Sequence, residues 1–341
     1  MAVNAACNST YVKDQTSVGE ARRCARTLAM AADFDATEAG SLAIAVTEAA
    51  SNLVKHAGTG EILLRQFDAG IEMLAIDKGP GIENLNDALK DGRSTAGTNG
   101  IGLGAISRMA TLFEIYTGLG LGTVILARFQ RTDRRHRAGE NRAPELEIGA
   151  VQGPYPGEFV SGDAWSSEGT TFFVVDGLGH GIHAAEAADA AVQSFRENSA
   201  RPVRDIVEAA HLALQPTRGA AVAAASIDLD AGVVRFCGIG NISGMIVDCG
   251  TTRGLMSHNG IAGHEVHRIA ELEYPWPQGG TLVLHSDGLS AKWNLEAYPG
   301  LATRHPSLIA GVLYRDFRRQ RDDATVVVAR VCPPVDRGGR V

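Results

Sequence analysis

Two glycine-rich stretches contain the residue types that bind phosphate groups or metal ions. The stretch VVDGLGHG, residues 174–181, places an aspartate between an apolar run and a glycine. The stretch NGIGLGA, residues 99–105, alternates glycines at the expected start of a helix. Glycines let backbone N–H groups close around an anion, whereas a carboxylate at a strand end holds a hard cation. Each stretch by itself fits either phosphate binding or metal binding, so the neighbouring residues are needed to distinguish the two.

The segment AVTEAASNLVKHAG, residues 45–58, predicts a helix with one chemically active face. Glu48, Asn52 and Lys55 share that face at spacings of four and three residues. An acid and an amide one turn apart suit a Mg²⁺ site, because asparagine supplies a hard oxygen and glutamate orients a water or accepts a proton. A solvated helix face is the alternative, and this pattern alone does not exclude it. Another face is apolar and is expected to be buried: Leu42, Val46, Ala49 and Leu53.

The next motif, AIDKGPGI, places Asp77 at a strand end and follows it with Gly79 and Gly81. A carboxylate there can accept a hydrogen bond from an exocyclic amine such as that of adenine, and the glycines let the backbone approach a flat base. The later stretch NGIGLGA then offers N–H groups at a helix N-terminus, from Gly100, Gly102 and Gly104. It is not a dinucleotide fingerprint, because no strand leads into it. Together the three motifs predict a nucleotide site.

Four acidic motifs follow in the second half of the chain, each next to an apolar strand pattern. Their sequences are EFVSGDAW, FFVVDGLGHG, LVLHSDGLS and RQRDDATVVVAR. They contribute Asp163, Asp176, Asp287 and the pair Asp322 and Asp323. Carboxylates that converge at sheet ends are ligands for Mg²⁺ or Mn²⁺, and two such ions about 3.5–4 Å apart can activate a water for in-line attack on phosphorus. A single Asp-Gly pair is more often a turn, but four motifs in series favour a metal site.

The segment RTDRRHRAGENRAPELE, residues 131–147, has no apolar periodicity and predicts a linker. We therefore expect domains over 1–130 and 147–333, a linker over 131–146 and a tail over 334–341. Helices are predicted over 17–32 (capped by Thr16 or Ser17), 36–56, from about 101, and over 183–197, 203–214 and 306–318. Strands are predicted over 61–67, 71–77, 112–117, 121–130, 170–175, 221–229, 232–239, 242–248, 281–286 and 324–331.

Length and composition narrow the class of protein. The 341 residues favour two domains, and a formal net charge of -7 argues against nucleic acid as the main partner. The N-terminus shows no signal-peptide pattern, and no apolar run is long enough to span a bilayer. The five cysteines are scattered, which is typical of reduced residues. We expect a cytoplasmic protein that contacts neither nucleic acid nor membrane.

The order of the three motifs in the first half resembles the GHKL-type ATP-binding fold of gyrase, histidine kinases and anti-sigma-factor serine kinases. The run from Asp77 to Ile125 is similar to the small RsbT-like switch kinases of the bacterial stress response, and the resemblance covers about residues 8–130. It implies a GHKL (Bergerat) α/β sandwich that uses ATP and Mg²⁺. It also implies Asn52 as Mg²⁺ ligand, Glu48 as general base and Asp77 on adenine. The 100–104 loop would hold phosphate, residues 82–99 would form the ATP lid, and Thr123 would be a further nucleotide contact.

The order of the acidic motifs resembles the PP2C-type (PPM) phosphatases of the SpoIIE branch. TRGAAVAAASID and CGIGNISG are further similar to RsbX-like members, and the resemblance covers about residues 147–331. It implies an α-β-β-α sandwich that binds two Mn²⁺ or Mg²⁺ ions. The implied ligands are Asp163, Asp176, the Gly177 carbonyl, Asp287 and Asp322, the last preferred over Asp323 because the family aligns its ligand with the first residue of the pair.

The chain departs from this pattern at one position. Animal-type relatives carry a histidine directly after the Asp-Gly pair, where Leu178 stands here. His180 and His183 lie nearby in the sequence. His180 is a candidate for protonating the leaving serine oxygen, and a structural loop histidine is the equal alternative.

The two resemblances together imply a bifunctional regulator of a bacterial partner-switching or stressosome pathway. One domain would phosphorylate Ser or Thr of a STAS-domain protein, either an anti-sigma antagonist or a stressosome component, and the other would remove the phosphate. A downstream phosphatase or a sigma-factor regulator is a further expected partner. The alternatives are an N-terminal domain that sequesters a sigma factor or regulator without phosphorylating it, or one that acts as an ATP sensor for the phosphatase.

Overall fold

The computed structural model describes residues 8–67, 70–89, 102–132, 145–248 and 250–332. These residues divide into two compact units, one on each side of the predicted linker. In the N-terminal unit the helices are α1 (Gln15–Ala31), α2 (Ala36–Asn52), α3 (Leu85–Ala88) and α4 (Gly102–Met109), with a π-helical turn at Leu53–Ala57. Its strands are β1 (Asn8–Val12), β2 (Gly60–Phe67), β3 (Gly70–Asp77), β4 (Leu112–Gly118) and β5 (Gly122–Gln130).

The first helix begins earlier than the sequence predicted. Asp14, rather than Thr16 or Ser17, is the N-cap residue, and its side chain accepts a hydrogen bond from the Ser17 backbone N–H at 2.9 Å. The Ser17 hydroxyl accepts one from the Asp14 N–H at 3.0 Å. Ser17 therefore lies at the third helical position of a capping box, where a serine can satisfy a donor outside the helix. The prediction of a Thr16 or Ser17 cap was wrong for this reason.

The described strands of the N-terminal unit form one antiparallel sheet in the order β1-β2-β3-β5-β4. The helices α1, α2 and α4 pack on one face of this sheet around a shared apolar core. The predicted apolar stripe of α2 is confirmed, because all four of its members are buried in that core: Leu42, Val46, Ala49 and Leu53. Their burial fixes the rotation of α2 and leaves Glu48 and Asn52 partly exposed on another face.

The C-terminal unit contains two further antiparallel sheets. Its helices are α5 (Ile182–Asn198), α6 (Val203–Leu214) and α7 (Pro306–Phe317). One sheet has the order β13-β10-β9-β8-β7, and the other has the order β12-β11-β14-β15-β6. Their strands are β6 (Glu145–Gly153), β7 (Asp163–Glu168), β8 (Thr171–Gly177), β9 (Ala220–Asp228), β10 (Val233–Ile239), β11 (Ser243–Asp248), β12 (Thr251–Leu255), β13 (Leu272–Pro275), β14 (Thr281–His285) and β15 (Ala324–Cys332).

The two sheets of the C-terminal unit face each other across a buried core that includes Trp165, Phe172 and Phe236. Phe173, the next residue along β8, points to the opposite face and packs against Phe195 of α5. The helices α5 and α6 cover that outer face, and α7 packs on β6 and β15. Four layers result, and the predicted α+β class with a two-layer sandwich followed by an α-β-β-α sandwich is confirmed.

Most of the predicted linker and the whole tail lie outside the described residues. At the edges of the linker, Thr132 donates to Glu38 of α2 through its N–H at 2.6 Å and its hydroxyl at 2.7 Å, and β6 already begins at Glu145. The position of the boundary within 131–146 therefore stays a prediction. None of the described helices combines the length and hydrophobicity that a membrane crossing requires.

Candidate functional sites

The first candidate site lies where α2 ends and α4 begins. Glu48 and Asn52 occupy the last turns of α2, one turn apart and partly exposed. A Cβ atom on Gly102, the first residue of α4, would lie 3.9 Å from the Asn52 side-chain nitrogen. The start of α4 therefore stands beside the Asn52 amide, and the fold brings together two motifs that are 50 residues apart. Gly104 is buried within α4, and Gly100 lies outside the described residues.

Asp77 is held at the end of β3 by backbone donors. Its Oδ1 accepts hydrogen bonds from the Gly79 N–H at 2.8 Å and the Thr123 N–H at 3.2 Å. Thr123 lies directly opposite Asp77 in the β3–β5 pair, and its hydroxyl is 3.1 Å from that of Thr117. The backbone of Thr123 thus helps to hold the Asp77 side chain in place. The role of Thr123 as a nucleotide contact stays a prediction.

A side chain larger than that of glycine would clash with neighbouring residues at both Gly79 and Gly81. A side chain on Gly79 would meet Ala57, and one on Gly81, where φ is +78°, would collide with the carbonyl oxygen of Gly118. The loop after Asp77 therefore runs close against the turn between β4 and β5. Within the predicted lid over 82–99, the structure describes residues 82–89, which include α3.

Sequence reasoning missed a cleft of about 600 Å³ between α1 and α2. Glu48 lines it together with the side chains of Arg22 and Arg26. The exposed Met30 and Ile44 form part of its wall. Glu48 is therefore accessible from the surface, on a face that carries positive charge and apolar area.

The second candidate site lies where β7 and β8 meet the ends of β14 and β15. Asp163 and Asp176 stand directly opposite each other in the β7–β8 pair. Asp163 is only 1% exposed, and its Oδ2 accepts a hydrogen bond from the Ser286 hydroxyl at 2.6 Å. Its Oδ1 is buried without a hydrogen-bond partner among the described residues. The Gly177 N–H donates to the Gly162 carbonyl at 2.9 Å, which joins the loops before β7 and after β8.

Asp287 and the acidic pair complete this cluster. Asp287 follows β14, and its Oδ2 accepts a hydrogen bond from the Asn241 side chain at 2.7 Å. Asp322 lies close enough to Asp287 for the charge of Asp287 to raise its pKa, in addition to the larger effect of burial, so Asp322 belongs to the same group. Asp323 turns toward the loop before β7, where its Oδ1 accepts from the Tyr155 N–H at 2.7 Å. The geometry is consistent with Asp322 as the ligand of this pair, and that assignment stays a prediction.

Burial and the neighbouring negative charges raise the pKa values of four carboxyl groups in this cluster. Burial, with the charges of Asp163, Asp287 and the acidic pair, raises the pKa of Asp176 to about 9. Burial also raises the pKa of Asp163 to about 7, with Asp323 adding to the effect and the Ser286 hydroxyl opposing it. The pKa values of Asp322 and Asp323 are raised mainly by burial as well. So many carboxylates cannot all ionise together unless a cation compensates them.

The residue types of the cluster fit a divalent cation. The Oδ1 of Asp163 is buried and makes no hydrogen bond within the described residues. Buried carboxylate oxygens without donors are hard ligands of the kind that Mg²⁺ and Mn²⁺ take. No three His, Cys, Asp or Glu side chains in the described ranges already converge at metal-ligand spacing. The fit therefore depends on the electrostatics and the orphaned Asp163 oxygen, and the ligand set is a proposal.

His180 lies at the rim of the acidic cluster, whereas His183 lies on α5. The His180 ring stacks on Tyr155 at 4.4 Å, and its Nδ1 is 3.1 Å from Glu158 Oε1. Its charge acts on Asp323, whose pKa it helps to lower against the dominant effect of burial. His183 instead contacts Glu186 of its own helix at 3.0 Å. The two roles considered for His180 both stay open, and position 178 holds a half-exposed leucine.

Sequence reasoning missed the groups that contact the acidic residues and His180: Ser286, Asn241, Tyr155 and Glu158. Two of them carried a signal in the sequence. Ser286 directly precedes Asp287, and Asn241 lies in the motif CGIGNISG. Of the other two, Tyr155 lies outside the recognised motifs, and Glu158 is the first residue of EFVSGDAW but had no predicted role, so only the structure identifies their contacts.

The folds and the two sites define a class of protein in which an ATP-binding α/β sandwich precedes a four-layer phosphatase sandwich. Residues 11–129 match the family described as histidine kinase-like ATPase domain, and residues 166–332 match stage II sporulation protein E (SpoIIE). The serine/threonine-protein kinase RsbT of Bacillus subtilis (strain 168) is 32% identical over 111 residues, which are 31% of this chain and 84% of RsbT. Through its N-terminal unit the chain belongs to the family of RsbT-like kinases, and its C-terminal unit is a SpoIIE/PP2C phosphatase domain.

Two solved structures are also similar to the chain. One is described as "The bacterial stressosome: a modular system that has been adapted to control secondary messenger signaling", with 27% identity, a TM-score of 0.51, and coverage of 55% of this chain and 100% of that one. RsbX in complex with magnesium has 18% identity, a TM-score of 0.46, and coverage of 56% and 98%. The two family matches and the RsbT relative confirm the predicted combination of a kinase domain and a PPM phosphatase domain in one bifunctional chain.

Proposed function

We propose that the two units act in opposite directions on STAS-domain proteins. The N-terminal unit transfers phosphate from ATP to Ser or Thr of the partner, and the C-terminal unit hydrolyses the resulting phosphoserine or phosphothreonine. The observation that carries the proposal is the pairing, in one chain, of the Glu48–Asn52 site beside α4 with the buried acidic cluster around Asp176.

In the kinase reaction the chain supplies positioning and a base. Asn52 would hold Mg²⁺ on the phosphates of ATP while the start of α4, with Gly102 and Gly104, contacts them through N–H groups. Asp77 would accept a hydrogen bond from adenine, in a loop that Gly79 and Gly81 allow to lie close to the base. Glu48 would take the proton of the attacking hydroxyl, because it lies one turn before Asn52 and is accessible from the surface at the cleft between α1 and α2.

In the phosphatase reaction the acidic cluster would hold two Mn²⁺ or Mg²⁺ ions. Asp163, Asp176, Asp287 and Asp322 would be the carboxylate ligands, and Gly177 would add its carbonyl. When bound, the ions would supply charge compensation and an activated water for in-line attack on phosphorus. Asn241 keeps Asp287 oriented by donating to its Oδ2. His180, held by Tyr155 and Glu158, is the described side chain that we propose to protonate the leaving serine oxygen.

The descriptions of two similar proteins support a STAS-domain protein as the partner. RsbT is a serine/threonine-protein kinase, and the structure that resembles this chain belongs to work on the bacterial stressosome. A STAS-domain protein of such a system would be the shared substrate, and a downstream phosphatase or sigma-factor regulator would be a further partner. Fusion of the two activities raises the effective concentration of each near a partner that the other has bound.

The test uses the purified chain, labelled ATP and a STAS-domain protein from the same organism. Incubation with Mg²⁺ and ATP is expected to label the partner, and subsequent removal of ATP and addition of Mn²⁺ is expected to release the label. EDTA should stop both reactions. Failure to label the partner, with release intact, would favour the ATP-sensor alternative.

The Glu48→Gln variant distinguishes a kinase from the alternative, an N-terminal unit that binds a sigma factor or regulator without phosphorylating it. This variant is expected to bind ATP and the partner as the wild type does, and to transfer phosphate about 10²–10⁴-fold more slowly. If the wild type binds the partner tightly in the presence of ATP but never modifies it, the N-terminal unit is a binding module and the kinase proposal is wrong.

A further inference from the structure

We infer that Ser286 is a positioning residue that fixes which oxygen of Asp163 faces the cation site. The inference rests on the proposed phosphatase function and assigns a role to a residue that is not itself among the proposed ligands. Ser286 is completely buried, and it lies between the strand ends that carry the acidic residues.

The direction of the Ser286 hydroxyl is set by its two neighbours. The Thr325 backbone N–H donates to the Ser286 Oγ at 3.0 Å. Because that nitrogen can only donate, the single hydroxyl proton is available for the Asp163 Oδ2, 2.6 Å away. An ionised carboxylate accepts this bond, which is of the short, charge-assisted kind. The Ser286 hydroxyl, at the end of β14, thus connects Asp163 of β7 with Thr325 of β15.

The backbone of Ser286 is also fixed by hydrogen bonds. Its N–H donates to the Thr325 carbonyl at 3.1 Å, and its carbonyl lies 2.8 Å from the His285 Nδ1. The Trp293 indole N–H points at the other ring nitrogen of His285 at 3.4 Å. Because an indole nitrogen only donates, His285 accepts there and carries its proton on Nδ1, which then donates to Ser286. The buried layer of Trp293 and His285 therefore fixes the backbone that presents the hydroxyl.

The consequence concerns the free oxygen of Asp163. With Oδ2 engaged by Ser286, the Oδ1 is the atom left without a hydrogen bond in the described part of the chain. Without the Ser286 hydroxyl, the Asp163 Oδ2 loses the donor that holds it at 2.6 Å. The Thr325 hydroxyl, which also lowers the pKa of Asp163, is then the neighbouring donor that remains, so the carboxylate is held less firmly in one orientation. Groups that orient a metal ligand in this way typically change metal affinity by about 10–100-fold when they are removed.

Ser166 provides a matched control. It is also completely buried, it lies on the same strand as Asp163, and its hydroxyl has no hydrogen-bond partner in the described residues. Ser166→Ala therefore removes an equivalent buried hydroxyl, from the strand that carries Asp163, without removing a hydrogen bond to the Asp163 carboxylate. Any general effect of deleting a buried hydroxyl in β7 or its neighbours should be common to both variants.

The experiment measures Mn²⁺ binding to the full chain by titration calorimetry, together with the Mn²⁺ dependence of phosphate release from a phosphorylated STAS protein. Ser286→Ala is expected to weaken Mn²⁺ binding about 10–100-fold and to raise the Mn²⁺ concentration for half-maximal activity by the same factor. At saturating Mn²⁺ its kcat should recover to within about threefold, whereas a collapsed fold would not recover. Ser166→Ala should stay within about twofold of the wild type in each measurement.

Ser286→Cys, which keeps the approximate size and a weak S–H donor, is the second variant and should fall between wild type and Ser286→Ala. ATP binding by the N-terminal unit checks that each variant protein is intact. The inference is overturned if both Ser286 variants bind Mn²⁺ as the wild type does, or if Ser166→Ala weakens binding equally. Wild-type protein that takes up no Mn²⁺ would overturn the proposed phosphatase function, and this inference with it.

Discussion

The two candidate sites are built by opposite means. In the N-terminal unit, backbone groups and glycines define the site, Asp77 is held by two N–H donors, and Glu48 and Asn52 are partly exposed. In the C-terminal unit, side-chain donors hold buried carboxylates whose pKa values are raised to about 7 at Asp163 and about 9 at Asp176, first by burial and then by the charges of neighbouring aspartates. The first arrangement suits a large anion that exchanges, and the second suits small cations that neutralise a fixed charge.

This comparison is tested most strongly by Asp176→Asn. If Asp176 bridges both ions of the phosphatase site, the variant should lose Mn²⁺-dependent phosphate release by at least about a hundredfold, because the ions can no longer share one water. Phosphate transfer from ATP to the partner should be unchanged, since the residue belongs to the other unit. Full phosphate release at saturating Mn²⁺ would mean that VVDGLGHG is an ordinary glycine turn.

The reciprocal change is Asn52→Ala, with Asn52→Asp as a second variant. Either should reduce Mg-ATP-dependent labelling of the partner by at least about a hundredfold, because a ligand of the cation that orients the phosphates is lost or altered. Mn²⁺-dependent release of phosphate by the same protein is the internal control and should be unaffected. Labelling at the wild-type rate would refute the assignment of the nucleotide site.

His180→Ala should have an intermediate effect. If His180 protonates the leaving serine oxygen, kcat on a phosphoserine protein falls about 10–100-fold, near the low end of general acid effects. An aryl phosphate, whose leaving group needs no proton, should be hydrolysed almost as fast as by the wild type. His183→Ala, on the adjacent helix, is the matched control and should change neither substrate. Equal rates for His180→Ala and wild type on phosphoserine would leave His180 with a structural role only.

The smallest expected effect is on stability as a function of pH. The pKa of Asp176 is raised from 3.8 in the unfolded chain to about 9, by burial first and then by the nearby carboxylates. The folded state therefore binds more protons than the unfolded state between these values, so stability falls as the pH rises through that window. In EDTA, the melting temperature of the C-terminal unit should drop by several degrees from pH 5.5 to 8.5, and Mn²⁺ should reduce the drop.

Asp176→Asn removes this titration and should reduce the dependence of melting temperature on pH in EDTA, most clearly above pH 7, because Asp163, whose pKa is raised to about 7, still titrates below it. Asp230→Asn, which changes an exposed aspartate in the turn before β10, is the control and should keep the wild-type slope. A wild-type slope in Asp176→Asn would show that Asp176 does not set the acid preference of the metal-free protein.

Much of this protein follows from local sequence pattern. The periodic segments predicted the long helices and the buried strands, because apolar spacing decides which face a helix or strand can bury. The strands β1, β6, β7, β12 and β13 were missed. In β12 the residues Thr251–Gly254 are exposed, so its sequence carries no apolar alternation to detect. The acidic motifs and the motifs around Asn52, Asp77 and NGIGLGA were visible because each is contiguous in the chain.

Only the tertiary structure decided how these motifs meet. The register that sets Asp163 against Asp176, the bond from Ser286 to Asp163 across 123 residues, and the bond from Asn241 to Asp287 all join segments far apart in sequence. The contrast between Asp322 beside Asp287 and Asp323 beside Tyr155 has the same origin. Burial and the distances between charges are properties of the folded chain, so the sequence determined which carboxylates are present and the fold determined which of them lie close enough to raise one another's pKa values.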